Sequence, residues 1–210
     1  MFNPLPESFG LYLVMTDPVV GYIRCAEAAV RADIRYLQLR MKNQPREAVL
    51  RTAREVAAVT WGTATRFILN DDPELAVEAG ADGVHLGQDD MAIPVARERH
   101  PQLRFFGLST HNPEQAAAAP AVMPSYIGVG PVFATPTKAI ADPTVGLERM
   151  GRIVAASPLA CVAIGGIDFE NLPTVLKAGA KNFAVVRAVC QASDPYSAIQ
   201  RLQGVWLSSL

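Results

Sequence analysis

The sequence predicts an α/β chain folded as a single (β/α)₈ TIM barrel spanning residues 1–210. Eight short apolar runs recur at intervals of roughly two to three dozen residues. They are nearly continuous in apolar residues rather than alternating, as strands buried on both faces are. Between them lie Ala-rich amphipathic segments, and no linker or composition shift divides the chain.

In order, the expected strands are LYLVMT (11–16), YLQLRM (36–41), RFILN (66–70), GVHLG (83–87), FFGLST (105–110), YIGVGPV (126–132), CVAIGG (161–166) and NFAVVRAV (182–189). Helical segments between them include REAVLRTAREVAAV (46–59), PEQAAAA (113–119) and ENLPTVLKA (170–178). AVRADIRYLQLR (29–40), AVEAGADGVHLG (76–87) and VLKAGAKNFAVV (175–186) repeat one unit of helix end, polar or Gly turn and buried strand. Any α/β chain repeats such a unit, because helix-to-strand turns favour Gly, so the echo bears on architecture alone.

Composition narrows the function. A formal net charge of −1 without basic runs argues against a nucleic-acid surface. Cys25, Cys161 and Cys190 are odd in number and lack CxxC spacing, which excludes a disulfide framework or a zinc site, and the apolar contexts of Cys25 and Cys161 point to core packing. MFNPLPESFG has neither a basic segment nor an apolar run, and no apolar stretch approaches the length of a membrane span. The expectation is a cytoplasmic enzyme of small molecules, with a homo-oligomer left open.

Residues 66–90 are the most informative stretch. Strand 66–70 runs into Asp71 and Asp72, helix 73–79 crosses over, and strand 83–87 runs into Gln88, Asp89 and Asp90. Such a crossover makes the strands parallel, so their C-terminal ends lie side by side. One of Asp71 and Asp72 is expected to cap the helix that Pro73 opens. The other would face a cavity beside Asn70, where two carboxylates from adjacent strands form an oxygen-ligand seat for a divalent cation.

Barrels do their chemistry at the C-terminal ends of the strands. There the sequence places Gln38, Arg40 and Lys42 at alternate positions, then Asn70, Ser109 with Thr110 and His111, the 14-residue stretch FATPTKAIADPTVG (133–146), and Gly165-Gly166. Basic groups around a cation seat describe a receptor for phosphates. Glycines after strand seven sit where barrels bind a phosphate through backbone N–H groups. His85, within strand four, reads as a hydrogen-bonded core histidine, and His111 as a turn cap or a substrate contact.

Together QLRMK (38–42), ILNDD (68–72), GVHLGQDD (83–90), GLSTH (107–111), YIGVGPVFATPTK (126–138), AIGGI (163–167) and the AGA-x-x-x-AVV step (178–186) resemble the thiamine-phosphate synthase family. The likeness runs from about residue 11 to residue 195, in order. It implies a (β/α)₈ barrel that joins hydroxymethylpyrimidine diphosphate to thiazole phosphate, releasing pyrophosphate, with Mg²⁺ as cofactor. Carried over by position, it assigns Gln38, Arg40, Lys42, Asn70, Ser109 and Lys138 to the pyrimidine diphosphate, with Arg40, Lys42, Ser109 and Lys138 as the catalytic set. It gives Asp71 and Asp90 to Mg²⁺, and Thr135, Thr137, Gly166 and the Val186–Arg187 step to the thiazole phosphate. No protein nucleophile is implied, in keeping with Ser and Cys residues that lack an evident base.

Three positions depart from the family pattern. Met41 stands where Glu is frequent, Ala134 where Pro is frequent and Arg187 where Ser is frequent. Met41 should affect packing, Ala134 the stiffness of its loop, and Arg187 the thiazole phosphate site itself. Two other functions fit less well. A thiazole tautomerase of the same superfamily has no use for a diphosphate clamp, and a non-catalytic phosphate-binding barrel would bind ligand without turnover.

Overall fold

The computed structural model describes residues 3–135 and 143–210. Eight parallel strands close into a barrel in sequence order, with β8 pairing back onto β1. They are β1 (Gly10–Met15), β2 (Tyr36–Leu39), β3 (Arg66–Asn70), β4 (Gly83–Leu86), β5 (Phe105–Thr110), β6 (Tyr126–Val129), β7 (Cys161–Ala163) and β8 (Asn182–Val185). The helices among the described residues are α1 (Tyr22–Arg31), α2 (Arg46–Thr60), α3 (Pro73–Ala79), α4 (Ile93–Arg99), α5 (Pro113–Ala118), α6 (Gly146–Ala156), α7 (Leu172–Lys177), α8 (Arg187–Cys190) and α9 (Pro195–Leu207). None is long and apolar enough to cross a membrane.

Successive residues of a strand point to opposite faces, and here both faces are covered. Leu11, Leu13 and Met15 of β1, with Leu37 and Leu39 of β2, join the layer between strands and helices. Tyr12, Val14, Tyr36, Ile68, Phe105, Tyr126, Val162 and Ala184 fill the interior, with Leu5 beneath them. That two-sided burial explains why the strands read as continuous apolar runs.

The N-terminal end of the barrel is closed by the segment before β1. Buried Asn182 accepts from the N–H groups of Phe9 (2.6 Å) and Gly10 (3.1 Å). Its amide nitrogen donates to the carbonyls of Glu7 (2.9 Å) and Cys161 (3.2 Å). The apolar fill and this plug separate the barrel interior from the N-terminal end.

Several strands end earlier than their apolar runs. β6 stops at Val129, before the cis Gly130–Pro131 bond, and β7 stops at Ala163. The run 182–189 divides into β8 and α8, so Arg187 begins a helix rather than ending a strand. A short apolar run is compatible with either structure, and Val186 leaves the extended region with φ −117° and ψ −80°. All three cysteines are free and buried, as core residues should be.

Candidate active site

At the C-terminal mouth lies a cavity of about 400 Å³. Gln38, Arg40, Asn70 and Ser109 line one side, and Gly165, Gly166, Val186 and Arg187 line the other. Thr135 reaches it from the loop after β6. The predicted residues Thr137 and Lys138 lie outside the described residues.

The acidic stretch resolves into separate roles. Asp72 caps α3, accepting from the N–H of Leu75 at 2.8 Å. Asp71 takes a left-handed backbone (φ 71°), donates its N–H to the carbonyl of His85, and pairs its carboxylate with Lys42. One Asp therefore caps and the other is turned toward the neighbouring strand end. Asp90 accepts from the N–H of Gly87 at 2.7 Å. Burial raises the pKa of Asp90, the Gly87 hydrogen bond opposes that shift, and the proximity of Asp71 adds to it. Among the described residues no group of three or more His, Cys, Asp or Glu is disposed to hold a metal, so any cation here would rest on the Asp71–Asp90 pair alone among the carboxylates.

Arg40 is half-buried, and burial lowers its pKa against the opposing pull of Asp71 and Asp17. A guanidinium still carries its charge under such a shift, and its partial desolvation strengthens its hold on an anion. Met41 packs on the outer core, consistent with the expected opposition to Arg40. On the far side the Gly165-Gly166 turn uses positive φ at both residues (102° and 65°). A Cβ on Gly166 would press on Phe133 and the carbonyl of Ala134, so the turn can lie against the loop after β6 only as glycine. His111 is anchored by its Nδ1 to the carbonyl of Gly130 at 2.7 Å, while Asn112 supplies the cap of α5.

Two features escape the sequence reading. Tyr12 and Tyr126 read as apolar filling, yet their hydroxyls meet in the barrel and line the cavity floor. Ser109, expected to lack a base, is 2.9 Å from His85 Nε2. The other ring nitrogen faces the hydroxyl of Tyr126 at 3.0 Å, so the imidazole bridges two hydroxyls from different strands. The pairing of Tyr on one strand with His on another is invisible to periodicity. The expectation that His85 is a hydrogen-bonded core histidine is met, and the small residue Gly107 at the meeting point was the further hint.

A family model described as thiamine monophosphate synthase matches residues 11–189. The chain belongs to the thiamine monophosphate synthase family. The thiamine-phosphate synthase of Anaeromyxobacter dehalogenans is 40% identical over 199 residues, covering 94% of this chain and 87% of that one. That of Synechocystis is 42% identical over 196 residues, but the chain spans only 57% of its length. Among solved structures, the thiamine phosphate pyrophosphorylase of Pyrococcus furiosus superposes with a TM-score of 0.88 at 30% identity, covering 97% of this chain and 98% of that one. The family match begins at β1 and runs to α8, so every strand end that lines the cavity falls within the region shared with the thiamine monophosphate synthases.

Proposed function

We propose that this chain is a transferase that condenses hydroxymethylpyrimidine diphosphate with thiazole phosphate to give thiamine phosphate and pyrophosphate. The observation that carries the reading is the two-sided cavity, with Gln38, Arg40, Asn70 and Ser109 opposite Gly166, Val186 and Arg187 and with Asp71 and Asp90 at the adjacent strand ends. Family membership over most of the chain supports it. A tautomerase or a non-catalytic barrel leaves Arg40, Lys42 and the acidic pair without a task.

In this reading Gln38 and Asn70 orient the pyrimidine diphosphate. Arg40, Lys42 and Ser109 donate to its phosphate oxygens, joined by Lys138. Thr135, Thr137, Gly166, Val186 and Arg187 take the thiazole phosphate. The methylene–oxygen bond of the pyrimidine substrate breaks with its electron pair passing to the diphosphate. The thiazole nitrogen lone pair then forms the new bond to the methylene carbon. Donors held in place at the leaving group lower the barrier because charge grows there in the transition state. Asp71 and Asp90 would hold Mg²⁺, which when bound adds positive charge at the departing diphosphate.

The test is incubation of the purified chain with both substrates and Mg²⁺, following thiamine phosphate and pyrophosphate together. Equal formation of the two is expected. Binding of both substrates without either product would overturn the proposal in favour of a non-catalytic barrel.

A further inference from the structure

A continuous chain of hydrogen bonds crosses the barrel interior from Gln38 to Ser109. Gln38 Nε2 donates to Tyr12 Oη at 3.0 Å, and the Tyr12 and Tyr126 hydroxyls lie 2.6 Å apart. Tyr126 Oη is 3.0 Å from His85 Nδ1, and His85 Nε2 is 2.9 Å from Ser109 Oγ. Gln38, Tyr12 and Tyr126 are each less than 5% exposed, so water does not readily replace a missing partner. Burial holds both phenols well above their ordinary pKa, which keeps them neutral, and each hydroxyl has one hydrogen to give.

That single hydrogen makes the chain directional. With a neutral imidazole, one self-consistent arrangement runs from the amide NH₂ through Tyr12 and Tyr126 to His85 Nδ1, and from Nε2–H to Ser109. It turns the Ser109 hydroxyl hydrogen and the Gln38 amide oxygen toward the cavity, which both residues line. The reverse arrangement runs from Ser109 to Gln38 with the amide rotated by half a turn. It offers the cavity an acceptor at Ser109 and an NH₂ at Gln38. A mixed arrangement points two donors or two acceptors at each other somewhere in the buried part, at the cost of an unmet polar group.

We propose that this chain couples the two ends of the pyrimidine diphosphate site: an anionic phosphate oxygen that accepts the Ser109 hydroxyl fixes the Gln38 amide with its oxygen toward the cavity, and so selects a ring edge that donates, such as an amino group, over one that accepts, such as an oxo group. The inference rests on the function proposed above. Tyr12, Tyr126 and His85 are its positioning residues, none of them required to touch the reacting atoms. Gly107 is part of the device, because a Cβ there would collide with both His85 and the Tyr126 hydroxyl.

The experiment is a calorimetric titration of the full chain with the hydroxymethyl aminopyrimidine and with its oxo analogue, each with and without magnesium pyrophosphate. In the unmodified chain, pyrophosphate should tighten the amino compound relative to the oxo compound by ~5-fold or more, the scale of an ordinary coupling between sites. Tyr126→Phe cuts the chain while keeping the ring, and should bring that ratio close to one with both ligands still bound. Ser109→Ala, a smaller change at the cavity end, should do the same, and melting curves establish that each variant is folded. A ratio near one in the unmodified chain, or a full ratio retained in either variant, overturns the coupling. Because the unmodified chain is assayed for thiamine phosphate in parallel, product formation without coupling sinks this inference alone. Absence of product sinks the function on which it rests.

Discussion

Lys42, in the turn after β2, forms an ion pair with Asp71 at the end of β3. The ammonium therefore occupies one side of a carboxylate whose other neighbour is Asp90. If Asp71 and Asp90 serve the leaving group through a cation, removing either should matter to turnover far more than to folding. Asp71→Ala and Asp90→Ala are each expected to lower turnover by roughly 10² or more, the loss that follows when charge stabilisation in the transition state is removed. Steady-state rates across a Mg²⁺ titration check this. Full Mg²⁺-dependent activity in the double variant would remove the metal role from both residues.

The adjacent carboxylate should behave in the opposite way. Asp72 gives its side chain to the N–H of Leu75 at the start of α3. Asp72→Ala should cost about 1 kcal/mol of stability, the usual worth of an N-cap, and leave turnover near that of the unmodified chain. Chemical denaturation and steady-state kinetics on the same preparation separate the two effects. A rate loss matching that of Asp71→Ala would mean that Asp72, too, serves the site.

Much of this was legible in the sequence, and the limits have physical causes. Strands buried on both faces advertise themselves as unbroken apolar runs, and β3, β5 and α3 match their predicted bounds residue for residue. Strand ends are less legible, because AVVRAVC suits a strand or a helix equally until Val186 turns the backbone. The division of labour between Asp71 and Asp72 was legible, since two successive Asp before Pro73 cannot both cap one helix, and Asp72 is the one that does. The interior polar chain was not. Tyr12, Tyr126 and His85 sit on three strands far apart in sequence, and only barrel closure brings their polar atoms together. Tyrosine in an apolar strand looks like filling until its hydroxyl is given a partner.

Gly107 tests how tightly that interior is built. Its neighbours leave no room for a methyl group, with His85 and Tyr126 both in the way. Gly107→Ala should force one of them aside, costing about 1–3 kcal/mol of stability as overpacking does. Activity should fall further than the loss of folded protein explains, because Ser109 loses the position of its partner His85. Comparison of kcat, corrected for the folded fraction, with the denaturation midpoint decides this. A stable variant with normal kcat would show that the interior yields without consequence.

Arg187 is the position whose expected departure from the family pattern falls on the cavity wall. It opens α8 and lines the cavity beside Gly165 and Gly166. An ion-paired structural role would require a carboxylate partner, and among the described residues none lies within ion-pair distance of its guanidinium. An exposed guanidinium at the phosphate end of a barrel offers two parallel donors to phosphate oxygens, and a hydrogen bond to a charged group contributes about 1.5–3 kcal/mol. Arg187→Ser should therefore raise the KM for thiazole phosphate by about ten-fold or somewhat more. The KM for pyrimidine diphosphate should stay nearly constant, because its donors lie on the opposite side of the cavity, at β2, β3 and β5. Thiazole alcohol, which lacks the phosphate, is the control and should be indifferent to the substitution. Equal weakening of both substrates, or a lower Tm with unchanged kinetics, would instead make Arg187 a support of α8 with no hold on substrate.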